Sequence, residues 1–237
     1  MTGILAGSAF LVGIVHTLAG PDHYVPFMAL SRARGWSLRK TLLVTAACGL
    51  GHIASSVLIV LAALGLGLSL DSIEIAETFR GDLAGWLLLG FGLAYTVWGL
   101  KVAARRGIRH EHEHVHPEEG GGATPHIHSH DHAAGHVHFH GARGRSVTPW
   151  VLFLIFLFGP CEPMIPLVFL PAASGHAGQA VLVSVLFGIA TISTMLVAVG
   201  AASTGLARIR SVFLERYGHA MAGGLLTLCG VAIKLGL

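Results

Sequence analysis

The stretch GILAGSAFLVGIVHTLAGPDHYVPFMAL, residues 3–30, decides how this chain is read. Its flanks, Ile4 to Val15 and Tyr24 to Leu30, are apolar. Its middle carries His16, Asp22 and His23 around the break Gly20-Pro21. A spanning helix needs about 20 predominantly apolar residues, so the stretch reads as a broken membrane span. An ionisable group at the bilayer centre costs roughly 2.5–3.5 kcal/mol on insertion scales, which makes such residues candidates for function. One carboxylate and two imidazoles suit a transition metal better than an organic solute.

Composition agrees. Of 237 residues, 53% are hydrophobic and 11% charged, and the mean hydropathy is +0.70. A soluble domain carries about 25% charged residues. The expected class is an all-α integral membrane protein. Strands of an outer-membrane barrel would alternate apolar and polar residues, and these segments do not. The net charge of +3 sits in loops, and no aromatic-basic patch points to nucleic acid. The lipid bilayer is the expected partner. Cys48, Cys161 and Cys229 all lie in apolar stretches, which argues against a disulfide framework. The first span lacks a basic leader and a small-residue cleavage site, so it reads as retained.

Six segments are apolar and long enough to span: about 3–30, 41–69, 83–103, 147–171, 178–205 and 216–236. The fourth is broken by Gly159-Pro160, with Pro163 and Pro166 following. Basic and non-basic loops alternate. Arg32, Arg34, Arg39 and Lys40 follow span one, while Asp71, Glu74, Glu77 and a single Arg80 follow span two. Lys101, Arg105, Arg106, Arg109, Arg143 and Arg145 flank the loop after span three. No Lys or Arg follows span four, and Arg208, Arg210 and Arg216 follow span five. By the positive-inside rule both termini face outward and the basic loops are cytoplasmic. The expected location is a bacterial inner membrane, multi-pass.

The two halves also correspond. Gly20-Pro21…Pro26 matches Gly159-Pro160…Pro166; Gly51-His52-Ile53-Ala54-Ser55-Ser56 matches Gly188 to Thr194; Gly85-Trp86-Leu87-Leu88 matches Gly223-Gly224-Leu225-Leu226. The offsets are 139, 137 and 138 residues. Three spans per half would insert the second half upside down, an arrangement of secondary transporters whose site lies between paired broken helices. The expected units are a first repeat over 1–104, a histidine-rich loop over 105–146 and a second repeat over 147–237.

The loop carries His110, His112, His114, His116, His126, His128, His130, His132, His136, His138 and His140, eleven of the chain's sixteen histidines. Gly, Glu, Pro and Asp fill much of the rest, so no core and no regular structure are expected. Imidazole is a ligand for Zn, Cu, Ni and Co, and His-x-His spacing suits metal capture and buffering. A solubilising linker and a pH sensor are the plain alternatives. His110 to His114 matches the metalloprotease motif His-Glu-x-x-His, but that motif needs a helix holding both imidazoles on one face.

His16 and His23 are seven residues apart, which would stack them on an unbroken helix. Pro21 suits the first position of a new segment, and Asp22 has a plain reading as its cap. His52 lies about eleven residues into span two, roughly 16 Å deep. Ser55 and Ser56 follow within a turn. Cys161 and Glu162 occupy the break in span four that corresponds to Asp22-His23, and Glu162 is the only acid in that span. The candidate metal residues are therefore His23, Asp22, His52, His16, Glu162 and Cys161, with Glu162 also a candidate for proton coupling. His176 and His219 read as solvated.

The run His16-Thr17-Leu18-Ala19-Gly20-Pro21-Asp22-His23 resembles the signature of the nickel/cobalt transporter (NiCoT/NicO) superfamily, His-x4-Asp-His. It is also similar to UreH-like and sulfite exporter TauE/SafE-like membrane proteins. Gly51-His52-Ile53-Ala54-Ser55-Ser56 and Gly159-Pro160-Cys161-Glu162-Pro163 fit the UreH-like side. Here the spacing is His-x5-Asp-His, one residue longer, so the carry-over is firmer for Asp22 and His23 than for His16. The resemblance implies transport of Ni2+ or Co2+, from which Zn2+ is not separable by affinity order.

The expectation is a permease for a divalent transition metal, in efflux or homeostasis, neither an enzyme nor a holder of a prosthetic group. No Gly-x4-Gly-Lys-Ser/Thr motif for nucleotide appears. A metallochaperone and a second copy of the chain are the protein partners such a role admits. The alternatives are an exporter of sulfite or another small oxyanion, and a membrane metal-delivery or sensor protein. Against the oxyanion reading, no span is expected to carry a buried arginine near its break.

Overall fold

The computed structural model describes residues 2–105, 110–117, 123–130, 147–206 and 212–236. Outside one hairpin in the histidine-rich loop, every described element is a helix. They are α1 (Thr2–Ala19), α2 (Val25–Arg34), α3 (Leu38–Gly65), α4 (Leu70–Arg105), α5 (Val147–Phe158), α6 (Met164–Ala173), α7 (Ala177–Leu206) and α8 (Val212–Lys234). Three of them, α3, α4 and α7, are long and apolar enough to cross a membrane. The bent pair α1 and α2 would make a fourth span. Leu43, Leu50, Leu58, Val181, Ile189 and Val197 point outward from these helices. An apolar exterior of this kind marks a membrane protein.

The break at Gly20-Pro21 is sharp. A single 3-10 turn, Pro21–His23, joins α1 to α2 at 86°. Pro21 takes the first position of that turn, where its missing N–H is no loss. The α2 helix then stops at Gly35, whose φ of 60° is left-handed. Ser37 caps α3 by accepting the Lys40 N–H at 3.3 Å. The second break, between α5 and α6, covers Gly159 to Pro163.

The third span is longer than its apolar core suggests. The α4 helix begins at Leu70, 13 residues before the expected Leu83 boundary, because Asp71, Glu74, Glu77 and Arg80 are helical rather than loop. Glu77 and Arg80 are one turn apart and neutralise each other.

Small residues let α4 and α8 touch at the backbone. A Cβ on Gly92 would stand 2.5 Å from Thr227 N, and one on Gly230 would stand 2.6 Å from Leu89 N. On Gly223 and on Gly99 it would meet Thr96 N and Ala220 N, each at 2.3 Å. Membrane helices associate by such close packing, since lipid supplies no hydrophobic drive. Elsewhere α1 packs on α7, α3 on α5 and α7, and α2 on α8.

Two buried clusters result. One gathers Phe27, Leu30, Cys48, Leu88, Leu152, Phe156, Met195 and Leu226. The other gathers Ala9, Val60, Ile73, Cys161, Met164, Ile165 and Phe187.

In the loop, His110–Pro117 and Ala123–His130 form antiparallel strands β1 and β2, where no regular structure is expected from composition. The alternation of histidine with other residues has the period of a strand. His110 and His114 thus lie on a strand, not on the helix that the protease motif requires. His132, His136, His138 and His140 lie outside the described residues.

Candidate metal centre

Three imidazoles converge where the two buried clusters meet. His16 comes from the last turn of α1, His23 from the 3-10 turn after the break, and His52 from the middle of α3. One ligand nitrogen from each lies within 4.8 Å of the others. The His16 and His23 ring centres are 4.7 Å apart, and those of His23 and His52 are 5.3 Å apart. Phe156 stands against His23 and His52, and Phe187 against His16.

The hydrogen bonds point these rings inward. His23 Nδ1 faces two acceptors, Gly20 O and Asp22 Oδ1, both at 3.2 Å. His52 Nδ1 faces Phe156 O at 3.3 Å. Both Nδ1 atoms therefore carry the proton and donate it, which leaves each Nε2 with its lone pair free. His16 Nε2, His23 Nε2 and His52 Nε2 are all buried without a hydrogen-bond partner. They are three of the five such side-chain atoms among the described residues. Buried polar atoms are normally satisfied, so three converging orphans call for a ligand. An ion held by bonds of about 2.1 Å would set tetrahedral ligands about 3.4 Å apart, so loading draws the rings together by about 1 Å or more if they stand at the outer limit.

Glycine makes room at both breaks. A Cβ on Gly20 would lie 2.7 Å from His23 Nδ1 and 2.8 Å from Asp22 Oδ1. A Cβ on Gly159 would lie 3.2 Å from His52 Nδ1. Two cavities reach the rings. One, of about 280 Å3, is lined by Leu11, Val12, Val15, His16 and Pro163. The other, of about 20 Å3, is lined by Asp22, His23, His52, Leu88, Phe156 and Gly159 among others. The smaller has room for a single water-sized sphere.

The remaining candidates stand apart from this trio. Asp22 is half-buried and sits behind His23, holding its Nδ1–H rather than joining the three converging nitrogens. Carboxylates commonly orient metal-binding histidines this way. Glu162 is exposed. Cys161 is fully buried and its backbone N–H donates to Glu77 Oε2 at 3.2 Å. Neither belongs to the converging group.

Two expectations need correction. Arg80 is a buried arginine beside a break, contrary to the expectation that none exists. Its guanidinium donates to the Glu77 carboxylate, to Ser56 Oγ at 3.3 Å, to Ser55 Oγ at 2.8 Å, to Leu157 O at 2.8 Å and to Gly159 O at 3.3 Å. His219 is not merely solvated. Its Nδ1 bonds Tyr95 OH at 2.9 Å, and Arg34 Nε donates to the same hydroxyl at 3.0 Å. This knot ties α2, α4 and α8 together. His176 is exposed.

Comparison with family models, with curated proteins and with solved structures returns no match.

Proposed function

We propose that the chain is a membrane permease for a divalent transition-metal cation, Ni2+ or Co2+, which passes through the His16, His23 and His52 site. The observation that carries this reading is the convergence of three buried, unpartnered imidazole nitrogens at broken helices. Neutral imidazole suits Ni, Co and Zn, and with Asp22 held behind His23 the converging nitrogens are themselves uncharged ligands. Conduction needs binding that is favourable yet reversible.

The six-span inverted repeat is part of this reading. Contacts between α4 and α8 support it. Gly92 meets Thr227 and Gly230 meets Leu89; Gly92 and Gly230 are 138 residues apart, as are Leu89 and Thr227. Gly85 meets Lys234 and Gly223 meets Thr96, and both offsets are again 138. Reciprocal contacts of this kind are what a two-fold axis between halves produces. The two breaks then face the ion from opposite halves, and the histidine-rich loop collects ions in the cytoplasm. Efflux is the direction that loop favours.

The oxyanion reading gains a buried arginine, but that arginine is committed. Arg80 shares its charge with Glu77 and directs its donors to protein oxygens. An anion would have to displace a carboxylate already in contact.

The test is cell metal content and growth on Ni, Co, Zn and sulfite. Wild type is compared with His23→Ala/His52→Ala and with deletion of residues 110–140. The permease reading expects the double substitution to abolish the metal phenotype with the loop intact. A phenotype confined to the loop deletion, or to sulfite, overturns it.

A further inference from the structure

Arg80 and Glu77 form a buried ion pair that the proposed ion route itself does not use. Glu77 is fully buried and Arg80 is 8% exposed. Replacing a buried ion pair by apolar side chains is often neutral or stabilising, so fold stability alone is a weak reason for one. The partners of this pair give a better one.

Every Arg80 contact outside Glu77 adjoins His52 or the segment that receives its proton. Ser55 Oγ accepts from Arg80 Nη2 and donates to His52 O at 2.8 Å. Ser56 Oγ accepts from Nη1. On the far side, Leu157 O and Gly159 O accept from Nη2, one and three residues after the Phe156 carbonyl that takes the His52 Nδ1–H. Glu77 completes the frame by accepting Cys161 N–H within the break. One guanidinium thus holds both the helix that carries His52 and the broken strand of chain that fixes its ring. The planar fork of arginine can serve several acceptors at set angles, which a lysine point charge cannot.

We propose that Arg80 is a positioning residue, with Glu77 as its counter-charge, that aims His52 Nε2 at the ion. This rests on reading the three histidines as the ion site. Outer-shell partners of metal-binding histidines typically change metal affinity by about 10–100-fold when removed.

The test uses the full chain in detergent with Co2+ as the probe. Its visible ligand-field absorption is taken as a difference against His52→Ala, so that the loop histidines contribute equally to both. Two variants are compared: Glu77→Gln/Arg80→Gln, which removes the pair without stranding a charge, and Ser55→Ala, which removes one bridge. The double variant is expected to weaken Co2+ binding at this site by about 10–100-fold and shift its band, and Ser55→Ala to do so by a few-fold. A lowered unfolding temperature with an unchanged band and affinity means a merely structural pair and overturns the proposal. Should the double variant fail to fold, an unchanged band and affinity in Ser55→Ala overturns it alone. If His52→Ala itself leaves Co2+ binding intact, the ion site is wrong and the proposal falls with it.

Discussion

The α4–α8 contact makes a prediction that two adjacent glycines can decide. An alanine at Gly223 places its Cβ 2.3 Å from Thr96 N, 2.5 Å from Thr96 Oγ1 and 2.7 Å from Thr96 Cα. Two of those atoms are backbone, so α4 itself must move away by about 1 Å to reach ordinary contact. Overpacking of this kind costs about 1–3 kcal/mol. An alanine at Gly224 meets nothing within 4 Å. Both substitutions gain the same helix propensity, about 0.8–1.0 kcal/mol, so it cancels between them. Gly223→Ala should therefore be less stable than Gly224→Ala by about 1–3 kcal/mol. An equilibrium SDS titration in mixed micelles, followed by tryptophan fluorescence, measures the difference. Equal stabilities would refute the backbone contact, and with it the reciprocal contacts on which the two-fold relation rests.

Two further outcomes follow from the site and its surroundings. Asp22→Ala should keep the fold and weaken Co2+ binding by about 10–100-fold, because it removes one acceptor of the His23 Nδ1–H; competition with a metal indicator measures it. Tyr95→Phe should lower stability by about 1–3 kcal/mol, since the hydroxyl joins Arg34 to His219; the same SDS titration reads this, with metal affinity unchanged.

The candidate site was largely legible because its signals are local. His16 and His23 flank Gly20-Pro21 within one span, and His52 is a lone imidazole deep in another. The sequence was less informative about which of them touch. Asp22 adjoins His23 in the chain, yet it serves the Nδ1 side of that ring rather than the converging nitrogens. Glu162 corresponds in the sequence to His23 and is the only acid in its apolar stretch, but a matching chain position does not oblige a matching side-chain environment, and Glu162 is exposed.

Arg80 was the residue composition concealed. Its charge, close to Asp71, Glu74 and Glu77, reads as a solvated loop when charges are counted along the chain. Only the i,i+3 spacing of Glu77 and Arg80 hinted at a neutral helical pair. Its other partners, Ser55 and Leu157, are 25 and 77 residues away, beyond any local pattern. The Arg34–Tyr95–His219 knot was hidden for the same reason, since it joins three helices. In the loop, low apolar content argues for irregular structure and masks the period-two alternation of histidine that suits a strand.

The central claim is that ions pass the three converging imidazoles, and flux measures it most directly. Purified full-length chain in lipid vesicles should carry Ni2+ or Co2+ at a saturable rate. His52→Ala, with the loop histidines untouched, should carry either ion at least about 10-fold more slowly. Flux in His52→Ala equal to wild type would contradict the account.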